Sequence, residues 1–569
     1  MIDRLTEWVD FAARHVDALP NVAGANEAEA RRLAAIGGLA RCVASSHIDR
    51  WPEAVRAWAS EGPAPPEDLV SALQNVADES PDLLAALYER CISGRHRRFL
   101  GTFFTPPAVV DHMLDASTRL LPRPSVVIDP GAGVGAFTLA AAARWPDATL
   151  VAVDVNVVTL GLLAARGSAL GCRLRLVHDD FLPWSQTEAR ELPSPRLWIG
   201  NPPYTRHQGM PAELKKSARA LQTDFVRSGL AGLSAYFLAA ILQSLRPEDA
   251  LCLLLPGSWT NTRFGSPLRA ALVAMHGREV GLLGFPSDRQ LFPGTRVTAM
   301  LLLVGPELSN NQPLWSALAD ISDGIVSVTG RVERDRAGSP AHGFGLWLRG
   351  ETEPEAEAGV PLFAIAWVRR GVATGANHAF LLTDEQAKAM PAQYVRPAIQ
   401  TLRELPRSVL DLEEHAELGR RGRRRWLLEL PVDTDFASNP ALSEWRTQAE
   451  PLVKDRYLAI HRNAWYAVEH VDVPEILVSP MGKGRMKAVL NIAEAVPSNA
   501  IYGVYLRTEH RSSAERLCEW LNSPLGQRAL HRRARAYGSG LFKLEPKDLQ
   551  AVIVPESVAG VADLPLGLR

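Results

Sequence analysis

Cysteine is scarce and scattered: five in 569 residues (Cys42, Cys91, Cys172, Cys252 and Cys518), with no C-x-x-C pair among them. That spacing argues against a zinc ribbon or a disulfide framework and fits a reducing compartment. Net charge is nearly absent too, with 62 Lys and Arg against 63 Asp and Glu. A balanced total excludes no polyanionic partner, because basic residues can still gather on one face. Apolar runs such as Leu251–Leu255 and Ala299–Val304 are strand-sized, far short of the ~18 residues a membrane helix needs. The opening segment MIDRLTEWVDFAARHVDALP carries acids early and lacks the apolar core of a secretion signal. A soluble, cytoplasmic protein without a membrane partner is expected. The sequence holds no internal repeat and no long low-complexity tract.

What is present is enough apolar material for large cores: 47% hydrophobic residues against 22% charged. The length points to two to four domains. Residues 1–95 are Ala-rich with helical spacing in Ala28–Val43 and Leu69–Ile92, and break at Glu61–Leu69 and near Gly94. They read as a helical packing or docking region. From 96 to 306 the pattern alternates buried-strand runs with helical stretches. The runs are Ser125–Asp129, Thr149–Asp154, Arg173–His178, Arg196–Asn201, Ala250–Pro256 and Thr298–Val304, with helices such as Gly135–Trp145 and Ser234–Leu245 between several of them. Such alternation predicts an α/β fold with a mostly parallel sheet covered on both faces. Residues 307–360 include the acidic stretch Arg349–Gly359 and read as a linker or spacer. A second, mixed α/β module is expected over 361–569. It carries the run Arg420, Arg421, Arg423, Arg424, Arg425, and positions 501–550 hold nine Lys and Arg against five Asp and Glu.

Ligands of open parallel sheets bind beyond the carboxyl ends of the strands, so the residues after each strand carry the chemistry. The first strand runs into Asp129-Pro130-Gly131-Ala132-Gly133-Val134-Gly135, where glycines permit a tight turn and close approach of a ligand to the backbone. Its G-x-G-x-G spacing departs from the G-x-G-x-x-G of nicotinamide-binding loops. The second strand ends at Asp154, 25 residues beyond Asp129. An acid there suits the two hydroxyls of a ribose, without choosing between NAD and S-adenosylmethionine. After the third strand come Asp179, Asp180 and Phe181, a carboxylate and an aromatic suited to an adenine's amino group and face. The fourth strand leads directly into Asn201-Pro202-Pro203-Tyr204. Two prolines fix the backbone and remove two donors, Asn supplies an amide oxygen and Tyr a flat ring. An acceptor-rich corner of this kind suits an amino group held between two acceptors.

In this order the motifs resemble the gamma group of adenine-specific DNA methyltransferases from restriction–modification systems. The likeness begins at Gly101–Asp111 and ends at Leu291–Ala299, covering about residues 96–306. It implies a class I, Rossmann-like methyltransferase domain that uses S-adenosylmethionine and no metal. By the resemblance, Thr105, Asp129, Gly131, Gly133, Asp154, Asp180 and Phe181 would line the cofactor pocket. Asn201, through its side chain, and Pro202, through its carbonyl, would accept hydrogen bonds from the N6 amino group of an adenine flipped out of double-stranded DNA. Tyr204 and Phe292 would stack on the base. The segments Gly371–Asn377 and Gly538–Leu544 resemble target-recognition regions of the same enzymes, and a restriction endonuclease, if any, would be a separate chain. Two alternatives stay open: a protein glutamine-N5 methyltransferase, which shares Asn-Pro-Pro-Tyr, and a catalytically silent DNA-binding subunit. Cytosine-amino methylation is a minor third, since such relatives usually carry Ser at the position of Asn201.

Overall fold

The computed structural model describes residues 1–16, 25–44, 48–77, 83–93, 104–167, 173–221, 223–227, 229, 231–262, 264–285, 291–292, 298–308, 311–322, 324–334, 336, 344, 359–537 and 541–560. The chain divides into two compact units, Met1–Glu353 and Pro354–Arg569. No helix among the described residues is long and apolar enough to cross a membrane.

The first unit is organised by one sheet of nine strands. They are β1 (Val126–Pro130), β2 (Thr149–Asp154), β3 (Leu174–His178), β4 (Arg196–Gly200), β5 (Ala250–Pro256), β6 (Arg278–Gly284), β7 (Ala299–Glu307), β8 (Leu314–Ser322) and β9 (Ile325–Arg334). Their order is β3-β2-β1-β4-β5-β7-β6-β8-β9. β3, β2, β1, β4 and β5 run parallel, while β7 is antiparallel to both its neighbours. The central strands are buried on both faces and their side chains alternate between two cores. Val126 and Ile128 enter one with Trp198, Leu251, Leu253 and Leu255. Val127, Leu197, Ile199, Cys252 and Leu254 enter the other. This two-sided burial explains the near-continuous apolar runs. At its leading edge β4 is held by a buried ion pair. Arg196 donates from Nε to Asp249 Oδ2 at 2.9 Å, and its own backbone amide donates to Asp249 Oδ1 at 2.8 Å. Its remaining guanidinium nitrogens reach the carbonyls of Ala189 and Ser244. A charge so deeply desolvated is tolerable only with its donors satisfied in this way.

Three strands depart from the sequence pattern. Residues 307–360 read as a spacer, yet β8 and β9 pair antiparallel and extend the sheet, with β8 parallel to β6. β9 is an edge strand exposed along nearly its whole length, so it carries the polar, charged composition of a linker. β6 is obscured by its glycines. A Cβ at Gly281 would lie 2.4 Å from the Trp315 ring, so the indole of β8 occupies the space a larger residue would need. Most of the acidic stretch Arg349–Gly359 lies outside the described residues.

The second unit is mixed α/β. Its five-stranded sheet orders Ala366–Arg370, Tyr502–Leu506, Ile476–Val478, Ala488–Asn491 and Val409–Leu410. A four-stranded sheet (Leu381–Leu382, Trp426–Leu428, Val395–Ile399, Val496–Pro497) and two smaller ones accompany it. Helices Pro440–Val453, Ala514–Asn522 and Pro524–Arg533 pack against these sheets.

In the first unit the N-terminal helices are α1 (Ile2–Ala12), α2 (Glu27–Ala44), α3 (Glu53–Glu61), α4 (Glu67–Ala77) and α5 (Leu83–Cys91). α6 (Pro107–Leu120), α7 (Ala136–Arg144) and α8 (Val157–Gly167) follow. Leu33, Ile36, Leu39, Trp58, Leu87 and Tyr88 share one core with Val158, Leu162 and Leu163 of α8 and with Ala132 and Val134. Close helix approach depends on glycine. Trp58 is 2% exposed and donates from Nε1 to the Leu33 carbonyl at 3.0 Å. A Cβ on Gly161 of α8 would fall 2.1 Å from its ring.

Gly161→Ala is therefore expected to destabilise the protein despite alanine's better helix propensity. Overpacking costs about 1–3 kcal/mol, which outweighs the ~1 kcal/mol gained in the helix. Thermal denaturation checks this: a melting temperature at or above that of the parent chain would contradict the packing described.

Candidate active site

The chain leaves β1 toward β2 on one side, and from β4 it proceeds to β5 on the other. The crevice of such a sheet opens where these directions diverge, beyond the carboxyl ends of β1 and β4. The Asp129–Gly135 loop and the Asn201–Tyr204 corner both begin there. A Cβ at Gly131 would stand 3.2 Å from Pro203 Cδ, so loop and corner pack directly on each other.

The loop is left-handed at Gly131, Gly133 and Gly135, with φ of +76°, +54° and +85°, where a side chain would strain the backbone. It is stitched to the end of β2: the amides of Gly131 and Ala132 donate to the Val153 carbonyl at 2.9 and 3.1 Å. Gly133 donates to Asp154 Oδ2 at 2.7 Å. The other Asp154 oxygen accepts the Asn156 amide at 2.7 Å. Desolvation raises the Asp154 pKa, and these amide hydrogen bonds oppose the rise.

Asp129 sits beneath the loop. It is 2% exposed, and its Oδ2 accepts both the amide and the hydroxyl of Thr138, at 3.1 and 2.7 Å. It thereby fixes the start of α7. Its Oδ1 is buried without a hydrogen-bond partner among the described residues. Burial pushes the Asp129 pKa up to about 7, against the pull of the Thr138 hydrogen bonds.

Together these elements line a cleft open to solvent, about 1030 Å³ with that open space included. Of the residues singled out in the sequence, Thr105, Gly131, Gly133, Asp154, Asp180, Phe181 and Asn201 line it. Asp180 caps the short helix Phe181–Gln186 through Oδ1 to the Leu182 amide at 3.0 Å. Phe181 stacks on Phe237 with centroids 4.5 Å apart and meets Trp198 edge-on. Asn201 donates from Nδ2 to Thr105 Oγ1 at 3.2 Å, across 96 residues of sequence. This contact turns the amide so that its carbonyl oxygen lies on the side away from Thr105.

Four expected residues sit off the cleft wall: Asp129, which lies beneath the loop, and Pro202, Tyr204 and Phe292. Pro202 is buried, and Pro203 lines the cleft instead. Tyr204 is half-buried, its hydroxyl pKa raised by desolvation, and its ring packs edge-on against Phe292 at 5.8 Å and 84°. Phe292 is 3% exposed and belongs to the core on that face, so in this structure it presents no ring to the cleft. Residues 293–297 of its segment, and Gly101–Phe103 of the first, lie outside the described residues. Phe104, Asn156, Pro203, Thr205, Leu233 and Phe237 also line the cleft. Asn156 carried a readable signal: it follows an acidic strand end by two positions and caps α8, accepting the Val158 amide at 3.0 Å. Phe237 had none, since it lies in a helix that is apolar all round.

Carboxylates at Asp154 and Asp180, glycine-loop backbone between them and the rings of Phe104, Phe137, Phe181 and Phe237 give a site that is polar at intervals and apolar between. S-adenosylmethionine, with its ribose hydroxyls, purine ring and charged amino-acid tail, matches that pattern.

In the second unit the arginine run is largely self-neutralised. Arg420 and Arg421 pair with Glu417 at 2.6 and 2.9 Å, and Arg423 with Glu404 at 2.8 Å. Arg425 grips Asp384 through two nitrogens and lies over the Trp426 ring. Trp465 stacks on Trp445 and Arg462 holds the Ala373 carbonyl, so part of the basic–aromatic interleaving supports Gly371–Asn377 internally. Tyr457 and Ile460 remain exposed, at 74% and 63%. Gly538–Gly540 lie outside the described residues.

The fold and cleft fit an S-adenosylmethionine-dependent methyltransferase. The family model "Eco57I restriction-modification methylase" matches residues 197–280, and "Type II methyltransferase M.Eco57I, C-terminal domain" matches 355–565. The chain is 27% identical over 473 residues to type II methyltransferase M.XamI of Xanthomonas campestris pv. amaranthicola, covering 80% of this chain and 85% of that protein. Type II methyltransferase M.AccI of Acinetobacter calcoaceticus is 20% identical over 484 residues, covering 81% and 86%. In fold it is similar to the type IIL restriction-modification enzyme MmeI, solved in complex with DNA. The TM-score is 0.57 at 13% identity, over 97% of this chain and 83% of that one. The chain is a DNA methyltransferase of the restriction–modification type with a C-terminal domain, and S-adenosylmethionine is its cofactor.

The position of Asp129 has a measurable consequence. A carboxyl whose folded-state pKa rises from 3.8 to about 7 contributes stability at low pH that is lost as pH climbs through that interval. Asp129→Asn removes the titration. The melting temperature of the parent chain, measured without cofactor, should fall relative to the variant by several degrees between about pH 4 and pH 8. Parallel curves would show that Asp129 does not titrate in this range.

Proposed function

We propose that the enzyme methylates the exocyclic N6 of an adenine flipped out of double-stranded DNA, within a sequence context read by the C-terminal unit. The observation that carries this reading is the position of Asn201. It stands at the carboxyl end of β4, on the cleft wall, with its amide turned by Thr105. An adenine amino nitrogen is a poor nucleophile because its lone pair is delocalised into the ring. Acceptors at the Asn201 side chain and the Pro202 carbonyl favour a more tetrahedral nitrogen with the lone pair directed at the reacting carbon.

S-adenosylmethionine supplies an electrophilic methyl group on a sulfonium. Thr105, Gly131, Gly133, Asp154, Asp180 and Phe181 hold and orient it, and Asp129 supports the loop from below. Orientation and fixed electrostatics then account for most of the rate. The nitrogen gains the methyl and releases one proton to solvent.

Extracting the base from a duplex costs about a few kcal/mol, and stacking on an aromatic ring returns about 1–3 kcal/mol. Tyr204 is the stacking surface in this reading, with Phe292 bracing its edge at 5.8 Å. The C-terminal unit contacts phosphates and base edges.

Two measurements test the reading. Expression in a methylation-free host, followed by genome-wide mapping of modified bases, should find N6-methyladenine in one repeated context. Methylation at cytosine, or none, would remove adenine as the substrate. Purified Asn201→Ala should bind S-adenosylmethionine within about threefold of the parent while methyl transfer falls on the order of 100-fold or more, as when a positioned polar group is deleted. Full activity in this variant would overturn the role given to Asn201.

A further inference from the structure

The N-terminal helices have no part in the chemistry above, yet one of their side chains reaches two residues of the cofactor cleft. Tyr88 on α5 is fully buried. Its hydroxyl oxygen accepts a hydrogen bond from Asn156 Nδ2 at 3.3 Å. Its ring meets that of Phe104 edge-on, with centroids 6.3 Å apart at 69°. Asn156 and Phe104 both line the cleft.

Asn156 stands at a junction. Its side-chain nitrogen goes to Tyr88, its side-chain oxygen accepts the Val158 amide at 3.0 Å, and its own amide donates to Asp154 Oδ1 at 2.7 Å. The opposite oxygen of Asp154 holds Gly133 of the glycine loop. An unbroken chain of hydrogen bonds therefore runs from the N-terminal helices to the carboxylate and loop that face the cofactor. The same helices pack behind the loop through Ala132 and Val134.

We propose that Tyr88 is a positioning residue for S-adenosylmethionine, and that the N-terminal helical region is the outer wall of the cofactor site. Its hydroxyl holds the Asn156 side chain, which caps α8, and so steadies the turn whose backbone amide at Asn156 donates to the Asp154 carboxylate. The ring of Tyr88 limits where Phe104 can stand. This rests on S-adenosylmethionine as cofactor and is independent of which base receives the methyl.

The test is calorimetric titration of the full-length protein with S-adenosylmethionine in the absence of DNA, so a wrong assignment of adenine leaves the result untouched. Tyr88→Phe keeps the ring and the packing and deletes the hydroxyl. It should bind the cofactor about 3- to 10-fold more weakly, the size expected for one hydrogen bond. KM for the cofactor should rise by the same factor, with kcat at saturation unchanged. Asn156→Ala should weaken binding comparably, and the double variant should be little worse than the weaker single variant, because both remove one path. Parent-like cofactor affinity in Tyr88→Phe, or full additivity of the two substitutions, would overturn the proposal. If Tyr88→Phe lowers the melting temperature, the double-variant cycle is measured below the transition and still decides between coupling and simple loss of packing.

Discussion

Both oxygens of Asp154 are engaged by backbone amides, Gly133 on one side and Asn156 on the other, each at 2.7 Å. That carboxylate joins the loop after β1, the end of β2 and the start of α8 into one rigid piece. The constraint is electrostatic and costly, since burial raises the pKa of the group while the amides pull it down. A carboxylate bound to two donors retains acceptor sites, which the ribose contact proposed for it would use. The position of Asn201 depends on the same assembly, because the Asn-Pro-Pro-Tyr corner packs through Pro203 against the loop that Asp154 secures. Preorganisation of this kind lets a methyltransferase work by orientation, with the geometry set before the ligand arrives.

The two carboxylates of the glycine-loop region divide their tasks by depth. Asp154 reaches the cleft. Asp129 lies below it and spends its hydrogen bonds on Thr138, so its influence on a ligand passes through the backbone of the loop. Thr105 shows a similar shift of role: it lines the cleft, and its hydroxyl also holds the Asn201 amide. The N-terminal helices extend this support outward, replacing what would otherwise be solvent behind the loop with a packed core. In the C-terminal unit, several arginines that read as a basic surface are consumed by local acids and carbonyls. A charge run in sequence does not by itself make a surface that meets phosphates.

Much of the catalytic framework was legible in the residues. Strands buried on both faces announce themselves as apolar runs, and β2 and β5 fall where those runs predict them. Left-handed turns announce themselves as glycines. What escaped was whatever the neighbours decide. β9 is exposed along its length and wears the composition of a linker. β6 carries a glycine because Trp315 lies on it. Phe292 reads as a ring for stacking, yet it is packed in the core against Tyr204, because aromatic character says nothing about which side a side chain faces.

The parallel α/β framework, the order of the cofactor motifs and the Asn-Pro-Pro-Tyr corner are all written in the residues themselves. Each of these depends on local chemistry: side-chain periodicity, glycine's access to positive φ, and proline's fixed backbone. The packing of distant elements is what makes Thr105 turn Asn201, puts Asp129 under the loop rather than on its face, and brings Tyr88 of the N-terminal helices against Asn156 and Phe104 of the cleft wall. The Thr105–Asn201 and Tyr88–Asn156 contacts join residues 96 and 68 positions apart. Their existence depends on how strands and helices close on one another, which no local pattern of residues records.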